Sequence, residues 1–333
     1  MLTRIYERRR RSERRDGERD AELDALRDQI AELRGALSRI ESAQTRLVDW
    51  QAETLTRTRR TQALTARTYE ALAGWPELVA RARAAADYER AYSDPDPLVS
   101  IPIPTYHSPE TLCERALASV QAQTHGNWEA IVVGDHCTDD TAERVAALGD
   151  SRIRYLNLPA RENDPADPWE RWAVKGSVPR AVGISAARGR WIAPLSHDDA
   201  WDPNHLALLL AAARETRAEI VYASMRVRQA EPAPDGLGAG VPSVGAFPPR
   251  YEQFGWQSAI FHAGLDFLRY DRNCALASEP NDWNLARRAW DAGIRFHHVP
   301  QETVTLFAHD RAGDIATAQR ERGLPPAASA GPA

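Results

Sequence analysis

The chain has 333 residues, 42 basic and 47 acidic side chains, a formal net charge of −5 and a hydrophobic content of 43%. That is apolar material for one large or two ordinary packed domains, and the acidic balance gives no reason to expect a nucleic-acid partner. Three widely spaced cysteines, Cys113, Cys137 and Cys274, suggest neither a disulfide framework nor a zinc site. No apolar run approaches the ~18 residues of a bilayer span, and the Arg-crowded start is followed by no apolar core of a signal peptide. The expected place is the cytoplasm, free or peripheral at the inner face of the membrane.

Residues 1–94 are rich in Arg, Glu, Ala and Leu, with no proline before Pro76. Leu23, Leu26, Ile30, Leu33, Leu37, Ile40 and Leu47 recur in alternating steps of three and four, broken only at Gln44, which is the seam of a coiled coil of roughly four heptads. This predicts a helical arm over 1–94 and a homo-oligomer formed through it; the competing reading is an amphipathic helix folded back on the rest. The Arg8-Arg9-Arg10-Arg11 cluster is diluted by Glu7, Glu13, Asp16, Glu18 and Asp20 and reads as a solvated face.

Asp94-Pro95-Asp96-Pro97 is a stiff linker, after which strands and helices alternate. Leu98–Ile103 reads as a strand, irregular or at an edge because Pro102 lacks a donor. Ser108-Pro109-Glu110 opens a helix running to about Gln123. Strands follow at Trp128–Val133 and Arg152–Leu156, with a helix between them ending near Leu148. The segment Pro159–Pro179 is polar and irregular, a helix covers Val182–Arg188, and a short apolar strand, Trp191–Leu195, discharges into Asp198-Asp199. Asp202 and Pro203 are the N-cap and first residue of the next helix, before a strand at Glu219–Val227. Glu231–Arg250 is a mobile loop, Pro280–Ala292 a helix, and Ile294–Val299 and Thr303–Phe307 two strands. Repeated strand-helix order predicts an α/β domain over 95–312, with a mostly parallel sheet covered on both faces, and a flexible tail over 313–333.

On an open parallel sheet the carboxyl ends of the strands share one crevice. Asp135 ends one strand and Asp198-Asp199 follow another, so one acid can hold a base or ribose while the pair holds a hard cation against a diphosphate. Residue types alone support a nucleotide-diphosphate-binding domain.

Four ordered motifs extend this. Val99-Ser100-Ile101-Pro102-Ile103-Pro104-Thr105-Tyr106, Val132-Val133-Gly134-Asp135-His136-Cys137-Thr138-Asp139-Asp140-Thr141, Gly183 to Ala193 with Ser196-His197-Asp198-Asp199 and Pro203, and Asn281-Asp282-Trp283-Asn284-Leu285 resemble those of family 2 glycosyltransferases. The resemblance implies a GT-A (Rossmann-like) fold, a nucleotide-diphosphate-sugar donor, a hydroxyl acceptor in cell-surface polysaccharide or glycan synthesis, a divalent cation (Mn²⁺ or Mg²⁺) and inversion at the anomeric carbon. Carried over by position, Pro104, Thr105, Tyr106 and Asp135 line the nucleotide pocket, Asp198 with Asp199 holds the metal, and Asp282 is the general base, with Glu279 next in line. Lys175, the only lysine, falls where related enzymes place a cation near the diphosphate. Two departures stand out: Ser196 replaces the usual first Asp of the metal motif, and Ala181 a common Asn.

Other conspicuous residues have plainer readings. His197 reads as a hydrogen-bonding loop residue and His309 as remote from the metal. Trp256 is a candidate for stacking on a sugar, while Trp283 and Trp290, seven apart on one helix, read as core. A nucleotidyltransferase is the enzyme alternative, disfavoured because Thr105-Tyr106-His107-Ser108 lacks the glycine and lysine of a phosphate loop. The non-enzymatic alternative is an assembly module that binds nucleotide sugar and is organised by the coiled coil.

Overall fold

The computed structural model describes residues 2–161, 165–229 and 244–308. The expected tail, His309 and most of the expected Glu231–Arg250 loop therefore lie outside the described residues. The chain divides into two compact units, 1–62 and 63–333.

Helix α1 (Leu2–Leu72) supplies the first unit. Along it Leu26, Ile30, Leu33, Leu37, Ile40 and Leu47 are each between 49% and 70% exposed, so the heptad seam has no cover within its own unit.

The second unit holds an eight-stranded mixed sheet of order β3-β2-β1-β4-β7-β6-β8-β5. Its strands are β1 (Val99–Thr105), β2 (Trp128–Gly134), β3 (Ile153–Asn157), β4 (Trp191–Ile192), β5 (Ala200–Trp201), β6 (Ile220–Gln229), β7 (Ala259–His262) and β8 (Phe296–Ala308). Strands β3, β2, β1 and β4 are parallel, β7 runs against both β4 and β6, and β8 is parallel to β6. The buried runs Val99-Ser100-Ile101 and Ile131-Val132-Val133 are what a sheet covered on two faces requires.

Several expectations change. The proline strand is central, not at an edge. The Val99 amide donates to Asn127 on the β2 side, which turns the donorless Pro102 and Pro104 toward β4, only two residues long. The two C-terminal strands are one, β8, with register shifts opposite Ala223, Ser224 and Met225 absorbing Pro300 and its neighbours. The helix after Asp198-Asp199, α9 (His205–Thr216), starts two residues beyond Pro203 with Asn204 as N-cap. Asp202 instead forms a two-pronged ion pair with Arg226, at 2.7 and 2.8 Å. Helix α8 (Ser177–Ser185) begins five residues earlier than Val182, and strand β7 completes the junction of the two half-sheets by pairing with both β4 and β6.

Helices α2 (Trp75–Arg83) and α3 (Arg90–Ser93) precede the linker yet belong to the core. Trp75, Val79, Tyr88, Ala91 and Tyr92 are buried among sheet residues, and Tyr88 stacks on His262 at 3.9 Å. Their polar anchor is the fully buried Glu219, which accepts Arg83 Nε and Nη2 at 2.7 Å each, the Tyr88 hydroxyl and the Arg295 amide. Burial alone would raise the Glu219 carboxyl; these donors hold it below the usual carboxylate range.

Candidate active site

The carboxyl ends of the parallel strands open into a cavity of about 480 Å³. Every residue expected to bind donor, metal or proton lines it: Pro104, Thr105 and Tyr106 after β1, Asp135 after β2, Lys175 before α8, Asp198 and Asp199 after β4, and Asp282 at the start of helix α10 (Asn281–Asp291). Ser196 and His197 are in the wall as well.

One wall of the cavity is built by the ends of β1 and β2. Asp135 donates its amide to the Thr105 carbonyl at 2.8 Å and pairs with Arg161 at 3.2 Å, while that guanidinium lies 4.3 Å above the Tyr106 ring. Tyr106 stacks in turn on His107, 4.3 Å away. Thr105 is 2% exposed, and its hydroxyl has no hydrogen-bond partner among the described residues.

At the middle of the cavity lie the two carboxylates. Asp199 is 6% exposed and accepts one long bond, 3.4 Å, from the Phe307 amide of β8. Burial first, and then the adjacent Asp198, pushes the Asp199 carboxyl well above the usual range; Arg115 and Arg180 offset this in part. Arg115 also donates to the Asp198 carbonyl at 2.9 Å. Among the described residues no group of three or more His, Cys, Asp or Glu side chains is placed to hold a metal ion.

Arg180, on α8, was not singled out from the sequence. Burial would lower its guanidinium, but Asp282, Tyr270, Asp198 and Asp199 outweigh that and raise it, so one fixed cation faces both the paired acids and the distal one. Gly183 lets α8 approach β1 closely: a Cβ there would lie 2.8 Å from Pro102 Cβ. The preceding turn holds Gly176 at φ 70°, and Asn281 ties that turn to α10 by donating to the Lys175 carbonyl at 3.0 Å and the Ser177 hydroxyl at 2.7 Å.

Asp282 is not the cap of α10. The N-cap is Pro280 and no side chain caps the helix; Asp282 lies within its first turn, with Oδ1 buried and without a hydrogen-bond partner among the described residues. Trp256, 2% exposed, donates to the Asp282 carbonyl at 2.9 Å and is closed to a sugar. Trp290 is 41% exposed and meets Phe247 edge-on, so it is not core. Glu279 is committed elsewhere, its oxygens accepting from Arg67, Asn284 and Arg287.

The model of the family described as glycosyl transferase family 2 matches residues 100–167 and 176–271. The chain belongs to this family. Among curated family 2 relatives it is 30% identical over 132 residues to the UDP-Glc:alpha-D-GlcNAc-diphosphoundecaprenol beta-1,3-glucosyltransferase WfgD of Escherichia coli, covering 40% of this chain and 47% of WfgD. It is 34% identical over 140 residues to the putative colanic acid biosynthesis glycosyl transferase WcaA of the same species, covering 41% and 45%. The chain thus spans about half the length of these relatives. In structure it resembles S. aureus TarS 1-349, solved with UDP-GlcNAc, at a TM-score of 0.50 and 17% identity over 68% of this chain and 65% of that one. That likeness gives the GT-A fold expected from the motifs.

Proposed function

We propose that this family 2 member is an inverting glycosyltransferase that moves a sugar from a nucleoside-diphosphate sugar to a hydroxyl of a glycan or glycolipid acceptor in surface polysaccharide synthesis. The observation that carries this is the convergence, in one cavity, of a nucleotide-side acid, a paired-carboxylate centre with a fixed cation, and a distal carboxylate. By its name WfgD is a beta-1,3-glucosyltransferase acting with UDP-Glc on alpha-D-GlcNAc-diphosphoundecaprenol, and WcaA is a putative glycosyl transferase of colanic acid biosynthesis.

Asp135 takes the base or ribose, releasing Arg161, and Pro104, Thr105 and Tyr106 line the same pocket. Asp198 and Asp199 suit a hard divalent cation, because burial and the neighbouring Asp198 charge both disfavour the Asp199 carboxylate, and an ion with oxygen ligands would relieve both. Bound there, it supplies neutralisation of the diphosphate. Ser196 contributes at most a hydroxyl where relatives carry a carboxylate. Arg180 and Lys175 orient the diphosphate and stabilise its charge as it leaves. The acceptor oxygen attacks the anomeric carbon from the face opposite the diphosphate, the bond to that diphosphate breaks with its electron pair, and Asp282 takes the hydroxyl proton.

The test is incubation with Mn²⁺ and a panel of nucleotide sugars that includes UDP-glucose and UDP-N-acetylglucosamine. Release of nucleoside diphosphate and free sugar, with a thermal shift for the same donor, is expected; neither turnover nor shift across the panel overturns the reading.

We further infer a homo-oligomer through the heptad seam of α1. About 25 helical residues, roughly 37 Å, carry it, enough for a modest coiled-coil dimer. Light scattering should report an oligomer for the full chain and a smaller species after deletion of residues 1–62; a monomeric full chain ends the idea. No helix of the described residues is long and apolar enough to cross a membrane. We place the enzyme in the cytoplasm, free or peripheral at the inner face of the membrane.

A further inference from the structure

The last turns of α1, outside the residues matched by the family model, reach the helix that carries Asp282. Glu70 Oε2 accepts Arg287 Nη2 at 2.8 Å, and Glu70 Oε1 accepts Asn284 Nδ2 at 2.9 Å. Arg287 and Asn284 lie on α10, and both also bind Glu279: Arg287 Nε at 2.8 Å to Oε1 and Nη2 at 2.9 Å to Oε2, Asn284 Nδ2 at 2.8 Å to Oε2. Arg67 closes the group on Glu279 Oε1 at 3.0 Å. The Arg287 and Glu70 side chains are each 12% exposed and that of Glu279 11%, so the network is largely withdrawn from water, where ion pairs hold geometry best.

Glu279 leads into Pro280, whose φ of −69° is set by its ring, and then into Asn281 and Asp282. Little torsional freedom separates the network from the cavity. Among the described residues nothing hydrogen-bonds Asp282 Oδ1, so its aim depends on where the first turn of α10 sits. One hold on that turn is Asn281, bonded to the Lys175–Ser177 turn. The other is the ion network.

We propose that Glu70 and Arg287 are positioning residues for Asp282, the end of α1 serving as a brace that sets the proton acceptor against the donor. The proposal rests on Asp282 being the base. A brace outside the matched family region makes the N-terminal helix part of the active enzyme. A misplacement near 1 Å at a reacting group can cost on the order of 10²-fold in rate, so loss of one arm is expected to show in turnover before it shows in folding.

The experiment is a double-mutant cycle on the full chain, reading nucleoside-diphosphate release from the sugar nucleotide selected by thermal shift. Glu70→Leu leaves Arg287 paired with Glu279 and Asp291. It should lower kcat at least ~10-fold while donor KM stays within ~2-fold. In the Asp282→Asn background the same substitution should cost less than ~2-fold, because the group being aimed is gone. Glu70→Gln keeps one acceptor oxygen, in reach of both Asn284 and Arg287, and should recover most of the rate. Equal losses in both backgrounds, or no loss in either, overturn the brace while leaving the base in place. A near wild-type Asp282→Asn rate instead removes the base and the brace with it. Should Glu70→Leu melt far below the parent, the cycle is read with Arg287→Lys, which keeps a cation beside Glu70, Glu279 and Asp291 but loses the fork, and whose loss must then vanish in the Asp282→Asn background.

Discussion

Asp282→Asn should fold, melt close to the parent and bind donor as before, yet transfer sugar roughly 10²–10⁴-fold more slowly, the range expected for loss of a general base. An acceptor hydroxyl near neutral pH is a poor nucleophile unless its proton leaves as the bond to carbon forms. Stability should be spared because Asp282 caps nothing: Pro280 occupies the N-cap, and the bond that Trp256 makes at this residue goes to the backbone. Loss of a true cap would cost about 1 kcal/mol and little rate, the opposite pattern. Steady-state transfer and a thermal melt on one preparation distinguish the two. A near wild-type rate would put the base elsewhere, and Glu279 is no substitute with its oxygens taken by Arg67, Asn284 and Arg287.

Asp198→Ala should abolish measurable turnover, since charge neutralisation of the departing diphosphate is worth several kcal/mol. Calorimetry should show that the Mn²⁺-dependent part of nucleoside-diphosphate affinity is lost while the metal-independent part, held by Asp135 and the Tyr106 wall, remains. The variant should melt no lower than the parent in chelator, because the Asp198 charge is one of the causes that hold the Asp199 carboxyl up. Parental turnover in chelator for either protein would refute the metal assignment.

The two effects show how far residues in order can be read. Asp135, Asp198 and Asp199 were visible because each follows an apolar run ending in acid, and chain topology gathers strand ends without further information; Asp282 was visible only through the resemblance of residues 281–285 to a family motif. Arg180 was not visible, because its importance lies in facing Asp282 and Asp198 across a cavity that no local window spans. Asp202 was misread for the same kind of reason: Asp-Pro is a good cap signature, but Arg226 on β6 offers a two-pronged partner, and the helix starts at His205 instead. Pro102 argued for an edge because the shortness of β4 was not legible. The change of composition at Asp94–Pro97 likewise marks a linker, while the packing of Trp75 and Tyr88 against the sheet is set by residues more than a hundred positions away.

Glu219 makes the sheet domain unportable. A chain trimmed at the start of the family match would keep this carboxylate at the foot of β6 but lose Arg83 and Tyr88, leaving a buried charge short of its partners at a cost of roughly 3–5 kcal/mol. That is a large share of the 5–15 kcal/mol by which ordinary domains stay folded. It would also strip the aromatic cover from His262 and Trp191. Any exchange of the matched region between this protein and its relatives therefore has to carry residues 75–93 along, as a built-in plug that lies outside the family match.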